Sequence, residues 1–211
     1  YSKVLTYFSF GLMFCALGLN LFSREGIVWV TTNPDYIEAL YVIPFVTYAI
    51  FFSMMRECCM IGLQVMKKTK IISYIIVGIT VLNFFLNMLL VPSMGMYGAA
   101  LSTMIVQVIS WLACYVFAQK YYAIPYELTK VWKVLVIGTL LYFVGTVFNE
   151  TAIWISVLVK LVILVCYPFL LYKWHFYDKN EENNLKGAWN KWSDLKRLKA
   201  VSYTHLRAHE T

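Results

Sequence analysis

The stretch LNMLLVPSMGMYGAALSTMI, residues 86–105, contains the sharpest break in the sequence, and this break lies among apolar residues. Pro92, Gly95 and Gly98 interrupt two apolar runs, and the stretch carries no charged residue. A turn at the surface of a soluble protein normally carries polar residues, because it faces water. We therefore predict a tight hairpin between two membrane-spanning helices, in which Pro92 ends the first helix and Gly95 forms the turn. Gly98 and the small residues after it are expected to let the two helices approach closely.

The composition of the whole chain also predicts a membrane protein. Hydrophobic residues make up 61% of the 211 residues and charged residues 14%, and the mean hydropathy is +0.66. Soluble domains carry about 25% charged residues, and a membrane-spanning helix needs about 20 mostly apolar ones. Six stretches are long and apolar enough: 4–22, 37–58, 71–91, 97–117, 131–148 and 152–172. The sequence therefore predicts an all-α integral membrane protein with six transmembrane helices.

Positive charge is concentrated in alternate connections between the predicted spans. The basic connections and ends contain Lys3, Lys67, Lys68, Lys70, Lys120, Lys130, Lys133 and the lysines after residue 172. Among the other connections, 23–36 contains Arg24, whereas 92–96 and 149–151 contain neither lysine nor arginine. Because lysine and arginine favour the cytoplasmic side, both ends of this region are predicted to be cytoplasmic. The net charge of +7 follows from this pattern, so no nucleic-acid partner is expected.

The two ends of the sequence suggest a fragment with an addition. The chain opens at Tyr1 and enters a span almost at once, so we expect an N-terminal portion of the same chain to precede it and pack with it. The final VSYTHLRAHET (201–211) matches the translation of a sequencing-library adapter, and we expect it to be non-native. Within the basic tail 173–200, residues 185–199 predict an amphipathic helix on the membrane surface, with a solvated tail as the alternative.

Two polar amides lie within the third predicted span. Asn83 and Asn87 are four residues apart and therefore share one face of a helix. In lipid, their amides need partners inside the bundle or in a water-filled cavity. The sequence leaves two roles open for them: hydrogen bonds that hold helices together, or the lining of a cavity.

Several segments together resemble one transporter family. The central pattern is Asn83-x3-Asn87, Leu89-Leu90-Val91-Pro92, then Gly95-x2-Gly98-Ala99-Ala100 and Thr103. NPDYIEALYVIPF (33–45), IGLQVMKKTK (61–70) and AQKYYAIPYE (118–127) agree with it in order and spacing. This set resembles the polysaccharide (Wzx-type) flippases of the MATE-like (MOP) transporter superfamily. The resemblance implies the C-terminal part of a bundle of about twelve to fourteen helices, built as two related halves with the substrate path between them.

The resemblance implies a function in surface polysaccharide biosynthesis, including lipopolysaccharide. The protein would flip undecaprenyl-pyrophosphate-linked oligosaccharide across the bacterial inner membrane, with membrane lipids around it, no cofactor and no enzymatic chemistry. A MATE-type drug/cation antiporter is the alternative in the same fold, although the predicted spans contain no acidic residues besides Glu38 and Glu57. A non-catalytic segment of a membrane glycan polymerase or ligase is the alternative from another class. Catalysis within these spans is not expected, because such enzymes need clustered carboxylates, histidines or arginines.

Two cationic residues within the predicted spans, Arg56 and Lys160, complete the set of candidate substrate-path residues. Arg56 would either bind an anionic headgroup through its forked guanidinium or anchor its helix at the cytoplasmic interface, and both roles stay open. Its neighbour Glu57 is expected to point about 100° away, so we predict that the two residues do not form a face-to-face pair within the helix. Lys160 is a candidate cation for the pyrophosphate. We favour a lysine that snorkels or packs at the bundle periphery, although a lysine near a span centre costs about 2.5–3.5 kcal/mol to insert. The substrate-path candidates are therefore Arg56, Asn83, Asn87 and Lys160, with no catalytic or metal-binding residue.

Overall fold

A computed structural model describes residues 2–30, 34–121, 126–150 and 153–174. The chain divides into two compact units, residues 1–170 and 171–211. In the second unit, the described residues complete the last turn of a helix. The amphipathic helix predicted over 185–199 and the adapter-like segment 201–211 lie outside the described residues.

Every regular element in these described ranges is helical, which confirms the predicted fold class. These ranges contain six α-helices and two short 3-10 helices. The α-helices are α1 (Ser2–Val30), α2 (Ile43–Val65), α3 (Thr69–Met94), α4 (Met96–Tyr121), α5 (Leu128–Val147) and α6 (Ile153–Lys173). The 3-10 helices are Pro34–Tyr41, before α2, and Phe148–Glu150, after α5.

All six α-helices are long and apolar enough to cross a membrane, as predicted. The candidate spans contain between 20 and 28 residues, and 20 residues at 1.5 Å each cover about 30 Å, the thickness of the hydrocarbon core. Large apolar side chains also cover the outside of the bundle. In α3, Ile75 is the one buried residue, so the surface of this helix that does not pack against α4 is free to contact lipid or other transmembrane helices.

The first helix extends further than predicted. The span over 4–22 was expected to end before a loop at 23–36, but α1 continues to Val30. Its final IVWV segment is apolar, and a helix satisfies its own backbone hydrogen bonds, as lipid requires. Arg24 and Glu25 therefore lie within the last two turns of α1 instead of in a loop.

The hairpin at 86–105 forms, but its turn is shorter than predicted. The prediction that Pro92 ends the first helix is wrong, because α3 continues through Pro92 to Met94. A proline so close to a helix end removes a single backbone donor and leaves most of the helix unaffected. The turn consists of Gly95, whose φ of 57° lies in the region that favours glycine. Its N–H donates to the carbonyl of Val91, and α4 begins at the next residue.

Close packing around α4 holds the hairpin and its neighbour together. The helix α4 packs against both α2 and α3, and α1 packs against α2 and α5. A Cβ atom added at Gly98 would lie 2.3 Å from the backbone oxygen of Leu90. The expectation that small residues allow a close approach is therefore confirmed at Gly98. Cys59, Leu63 and Cys114 are fully buried between α2 and α4.

Candidate functional site

A cluster of polar side chains joins the middle of α2 to the middle of α4. We call Arg56, Glu57, Gln107 and Ser110 the α2–α4 cluster. The Arg56 Nη1 group donates to Gln107 Oε1 at 3.3 Å and to Ser110 Oγ at 3.2 Å. Ser110 is fully buried. Arg56 therefore links two neighbouring helices through side-chain hydrogen bonds.

Arg56 and Glu57 also form an ion pair with each other. The Nη2 and Nε groups of Arg56 donate to Glu57 Oε1 at 2.6 and 3.2 Å. The prediction that these neighbours do not pair is wrong. The two Cα–Cβ directions do diverge on the helix, but the long arginine side chain bends back far enough to reach the carboxylate.

The ion pair between Arg56 and Glu57 is unusually exposed for charged residues well inside a helix long enough to span a membrane. The side chain of Arg56 is 21% exposed and that of Glu57 is 52% exposed, although both lie well inside α2. A charged residue that faces lipid at a span centre is costly, by about 2.5–3.5 kcal/mol on insertion scales. Such residues almost always face a bundle interior or a water-filled cavity. This face of α2 is therefore suited to contact water or other polar groups rather than lipid tails.

The two asparagines of α3 lie on one face, as predicted. The Nδ2 group of Asn87 donates to the backbone oxygen of Asn83 at 3.0 Å and to its Oδ1 atom at 2.9 Å. Ser102 of α4 donates from Oγ to Asn87 Oδ1 at 2.7 Å. Asn87 thus connects the two helices of the hairpin, which is the first of the two roles that the sequence left open. Both asparagines remain partly exposed, so the second role is still compatible with the structure.

A third polar cluster joins α1 to α6. We call Glu25, Ser156 and Lys160 the α1–α6 cluster. The Nζ group of Lys160 and the Oγ atom of Ser156 both donate to Glu25 Oε1, at 2.6 and 2.8 Å. The side chains of Lys160 and Glu25 are 1% and 10% exposed. Lys160 therefore does not snorkel to the interface, and its buried charge is balanced by a carboxylate.

Glu25 is the site residue that sequence reasoning missed. It was assigned to a loop and was therefore not counted among the acidic residues of the spans; this assignment is wrong, because α1 continues to Val30. The apolar IVWV segment after it is the signal that could have extended α1. The Oε2 atom of Glu25 is buried and meets no hydrogen-bond partner among the described residues. The carboxylate is therefore held through one of its two oxygens.

A polar cavity of about 600 Å³ lies next to the α1–α6 cluster. Lys160 forms part of its wall. The other lining residues come from the end of α1, from the first 3-10 helix, and from the end of α5 and the segment after it. The polar ones are Asn20, Ser23, Arg24, Tyr41, Tyr142, Thr146 and Asn149. The cavity is separate from the α2–α4 cluster, with which it shares no residue.

These features define the class of protein. Six apolar helices with polar clusters between them form a multi-pass helical membrane protein. Comparisons with protein-family models, with curated proteins and with solved structures find no match to this chain.

Proposed function

We propose that this chain is part of a transporter that flips undecaprenyl-pyrophosphate-linked oligosaccharide across the bacterial inner membrane. The observation that carries the proposal is the partly exposed Arg56–Glu57 pair inside a helix long enough to span the membrane. A protein whose helices only anchor it in lipid has no need for such a pair. A transporter has this need, because polar cargo must cross the membrane along a hydrated path.

The polar face of this path would extend across three helices. Arg56 and Glu57 of α2 contact Gln107 and Ser110 of α4. On the same α4 helix, Ser102 contacts the asparagine pair of α3. Amides, hydroxyls and a guanidinium in this arrangement can bind the hydroxyls of a sugar and the oxygens of a pyrophosphate. The choice of lipid-linked oligosaccharide as the cargo rests on the sequence segments that resemble the flippase family.

The same proposal includes an orientation and the absence of covalent chemistry. Lysines in alternate connections favour cytoplasmic ends for the six-helix region. Alternating access would arise from the movement of this helical unit against a second one. This movement breaks no covalent bond, so the proposed protein is a transporter and not an enzyme.

The test is export of glycan in a bacterial host that lacks its own flippase. The gene that encodes this chain would carry Arg56→Ala, Arg56→Lys or Asn87→Leu, and surface glycan would be measured per amount of protein in the membrane. We expect Arg56→Ala to reduce export about tenfold, the effect of losing one charge-assisted hydrogen bond. Arg56→Lys should restore only part of it, because lysine keeps the charge and loses the fork.

The matched control is Lys70→Ala, which removes a cation from an exposed position at the start of α3. It should leave export unchanged. Asn87→Leu separates the two roles of that residue. If Asn87 only joins helices, its loss costs about 0.6 kcal/mol and export stays normal. Full export by both the Arg56→Ala variant and the Asn87→Leu variant would contradict the proposal.

A MATE-type cation antiporter is the second candidate, and two carboxylates favour it. Glu25 and Glu57 both lie inside α-helices long enough to span the membrane. A buried carboxylate with one free oxygen is a suitable site for a cation or a proton. This candidate predicts that the gene confers resistance to lipophilic cations such as ethidium and that Glu25→Gln abolishes this resistance. The flippase predicts no change in resistance.

A further inference from the structure

The guanidinium group of Arg56 is engaged by neighbouring side chains on all of its nitrogens. The Nη1 group donates to Gln107 Oε1 and to Ser110 Oγ of α4, at 3.3 and 3.2 Å. The Nη2 and Nε groups both donate to Glu57 Oε1, at 2.6 and 3.2 Å. All three nitrogens therefore have acceptors among the described residues. A phosphate group can pair with two of these nitrogens at once only after one acceptor has left.

The acceptors on the two sides of Arg56 differ in burial. Ser110 is fully buried and Gln107 is partly buried, so α4 holds the Nη1 side from within the bundle. The side chain of Glu57 is 52% exposed, against 21% for Arg56. More than half of the surface of the Glu57 side chain is thus free of contacts with the described residues, which leaves it room to rotate away. Glu57 is therefore the acceptor that can leave.

The pairing between Arg56 and Glu57 uses one carboxylate oxygen. The Nη2 and Nε groups converge on Oε1, because the two residues are adjacent on α2 and the arginine bends back to reach its neighbour. The stronger pairs of arginine with a carboxylate or a phosphate use two parallel N–H···O bonds to two oxygens. A phosphate group that approaches from the exposed side can supply both oxygens.

We propose that Glu57 is a specificity-determining residue, which occupies the exposed side of Arg56 until the phosphate of a ligand takes its place. This inference rests on the proposed function, in which the ligand is the pyrophosphate of a lipid-linked oligosaccharide. Gln107 and Ser110 keep the guanidinium in place during the exchange. A ligand with a single carboxylate offers Arg56 no more than Glu57 already provides, so the exchange favours phosphate groups over carboxylates.

The exchange makes Glu57 an internal competitor of the ligand. When a binding group is free for only a fraction of the time, the apparent affinity for its ligand falls by that fraction. Glu57→Gln keeps the size of the side chain and replaces a charge-assisted pair by a weaker neutral hydrogen bond. It should therefore raise the affinity for pyrophosphate. A role of Glu57 in packing or in positioning Arg56 predicts the opposite sign, because its loss would then weaken binding.

The experiment measures the binding of undecaprenyl pyrophosphate to the purified chain of 211 residues in detergent, by native mass spectrometry. Undecaprenol, which lacks the pyrophosphate, is the matched probe for binding through the hydrocarbon tail alone. We expect Glu57→Gln to bind undecaprenyl pyrophosphate about tenfold more tightly than the unmodified chain, the effect of one charge-assisted hydrogen bond. Arg56→Gln should bind it more weakly, and the affinity for undecaprenol should be the same in every variant.

Two further variants separate the exchange from a general effect of charge. Glu38→Gln removes a negative charge from another exposed position and should leave the affinity unchanged. In the double variant Arg56→Gln/Glu57→Gln, the loss of Glu57 should bring no gain, because the group for which it competes is absent. The two single variants and the double variant form a cycle that measures how far Glu57 acts through Arg56. Circular dichroism verifies that the variants keep the helix content of the unmodified chain.

Soluble anions test the preference for phosphate. We expect inorganic pyrophosphate to compete with undecaprenyl pyrophosphate for the unmodified chain. Acetate carries the same carboxylate group as Glu57 and should not compete at the same concentration. Competition by both anions at equal concentrations would contradict the preference.

Other results would overturn the exchange itself. Equal or weaker binding by Glu57→Gln, together with a loss of binding in Arg56→Gln, would mean that Glu57 does not compete for Arg56. The proposed transport function would be unaffected by that result. An equal gain in Glu38→Gln, or a gain that persists without Arg56, would mean that the negative charge acts at a distance. If no variant preferred undecaprenyl pyrophosphate to undecaprenol, both the exchange and the proposed cargo would be contradicted.

Discussion

The ion pair between Glu25 and Lys160 provides the sharpest test of the structure. Its two residues come from α1 and α6 and are 10% and 1% exposed. Lys160→Met shortens the side chain by one atom and removes its charge, which leaves Glu25 with Ser156 as its remaining side-chain donor. Removal of one partner of a buried pair costs about 3–5 kcal/mol. We expect Lys160→Met and Glu25→Gln each to lower the free energy of unfolding by this amount.

The double variant distinguishes a pair from two separate residues. Glu25→Gln/Lys160→Met replaces both charges with neutral side chains of similar size, and such replacements are often close to neutral for stability. We therefore expect the double variant to be more stable than either single variant. A loss of 3 kcal/mol corresponds to a change of more than about a hundredfold in the unfolding equilibrium, which is well within the range of the assay.

The assay is reversible unfolding of the purified chain in detergent micelles by added dodecyl sulfate, followed by circular dichroism. Ser156→Ala serves as a milder variant, since it removes one neutral donor and leaves the ion pair intact. Additive losses in the double variant would show that the two charges do not interact. Single variants as stable as the unmodified chain would show that the pair is not buried, and this would refute the reasoning.

Two further predictions concern the hairpin and the orientation. Gly98→Ala should destabilise the chain by about 1–3 kcal/mol, because its Cβ atom would lie 2.3 Å from the backbone oxygen of Leu90. Gly11→Ala is the control, since its Cβ atom would meet nothing within 4 Å. This change should stabilise α1 by up to about 1 kcal/mol. Equal effects of Gly98→Ala and Gly11→Ala in the unfolding assay would contradict the close packing at Gly98. Cysteines introduced at Ser93 and Lys68 should differ in intact cells, with Ser93→Cys labelled from outside and Lys68→Cys shielded; the opposite labelling would invert the predicted topology.

Local features of the sequence were sufficient for the fold class. Each apolar stretch is long enough to cross a membrane by itself, and its insertion depends mainly on its own residues. The hairpin at Gly95 was also predictable, because one glycine with a positive φ is enough to reverse the chain there. The error at Pro92 concerns the last residues of α3, where the loss of one backbone donor does not determine at which residue the helix ends.

The candidate site was predictable only in part. Arg56 and Lys160 could be recognised because charges are rare within spans, and the contact between Asn83 and Asn87 follows from their spacing. Their partners on other helices could not be recognised. Gln107 and Ser102 are ordinary polar residues of α4 in the sequence, and they become significant only because α4 packs against α2 and α3.

The sequence by itself determined that this protein is a bundle of apolar helices, because length and hydropathy are properties of each segment alone. Only the tertiary structure decided which polar groups meet. Glu25 and Lys160 are 135 positions apart, and no periodicity within either helix points to the other. Their pairing depends on how α1 and α6 pack, and in lipid this packing is the condition that allows two charges to be buried together.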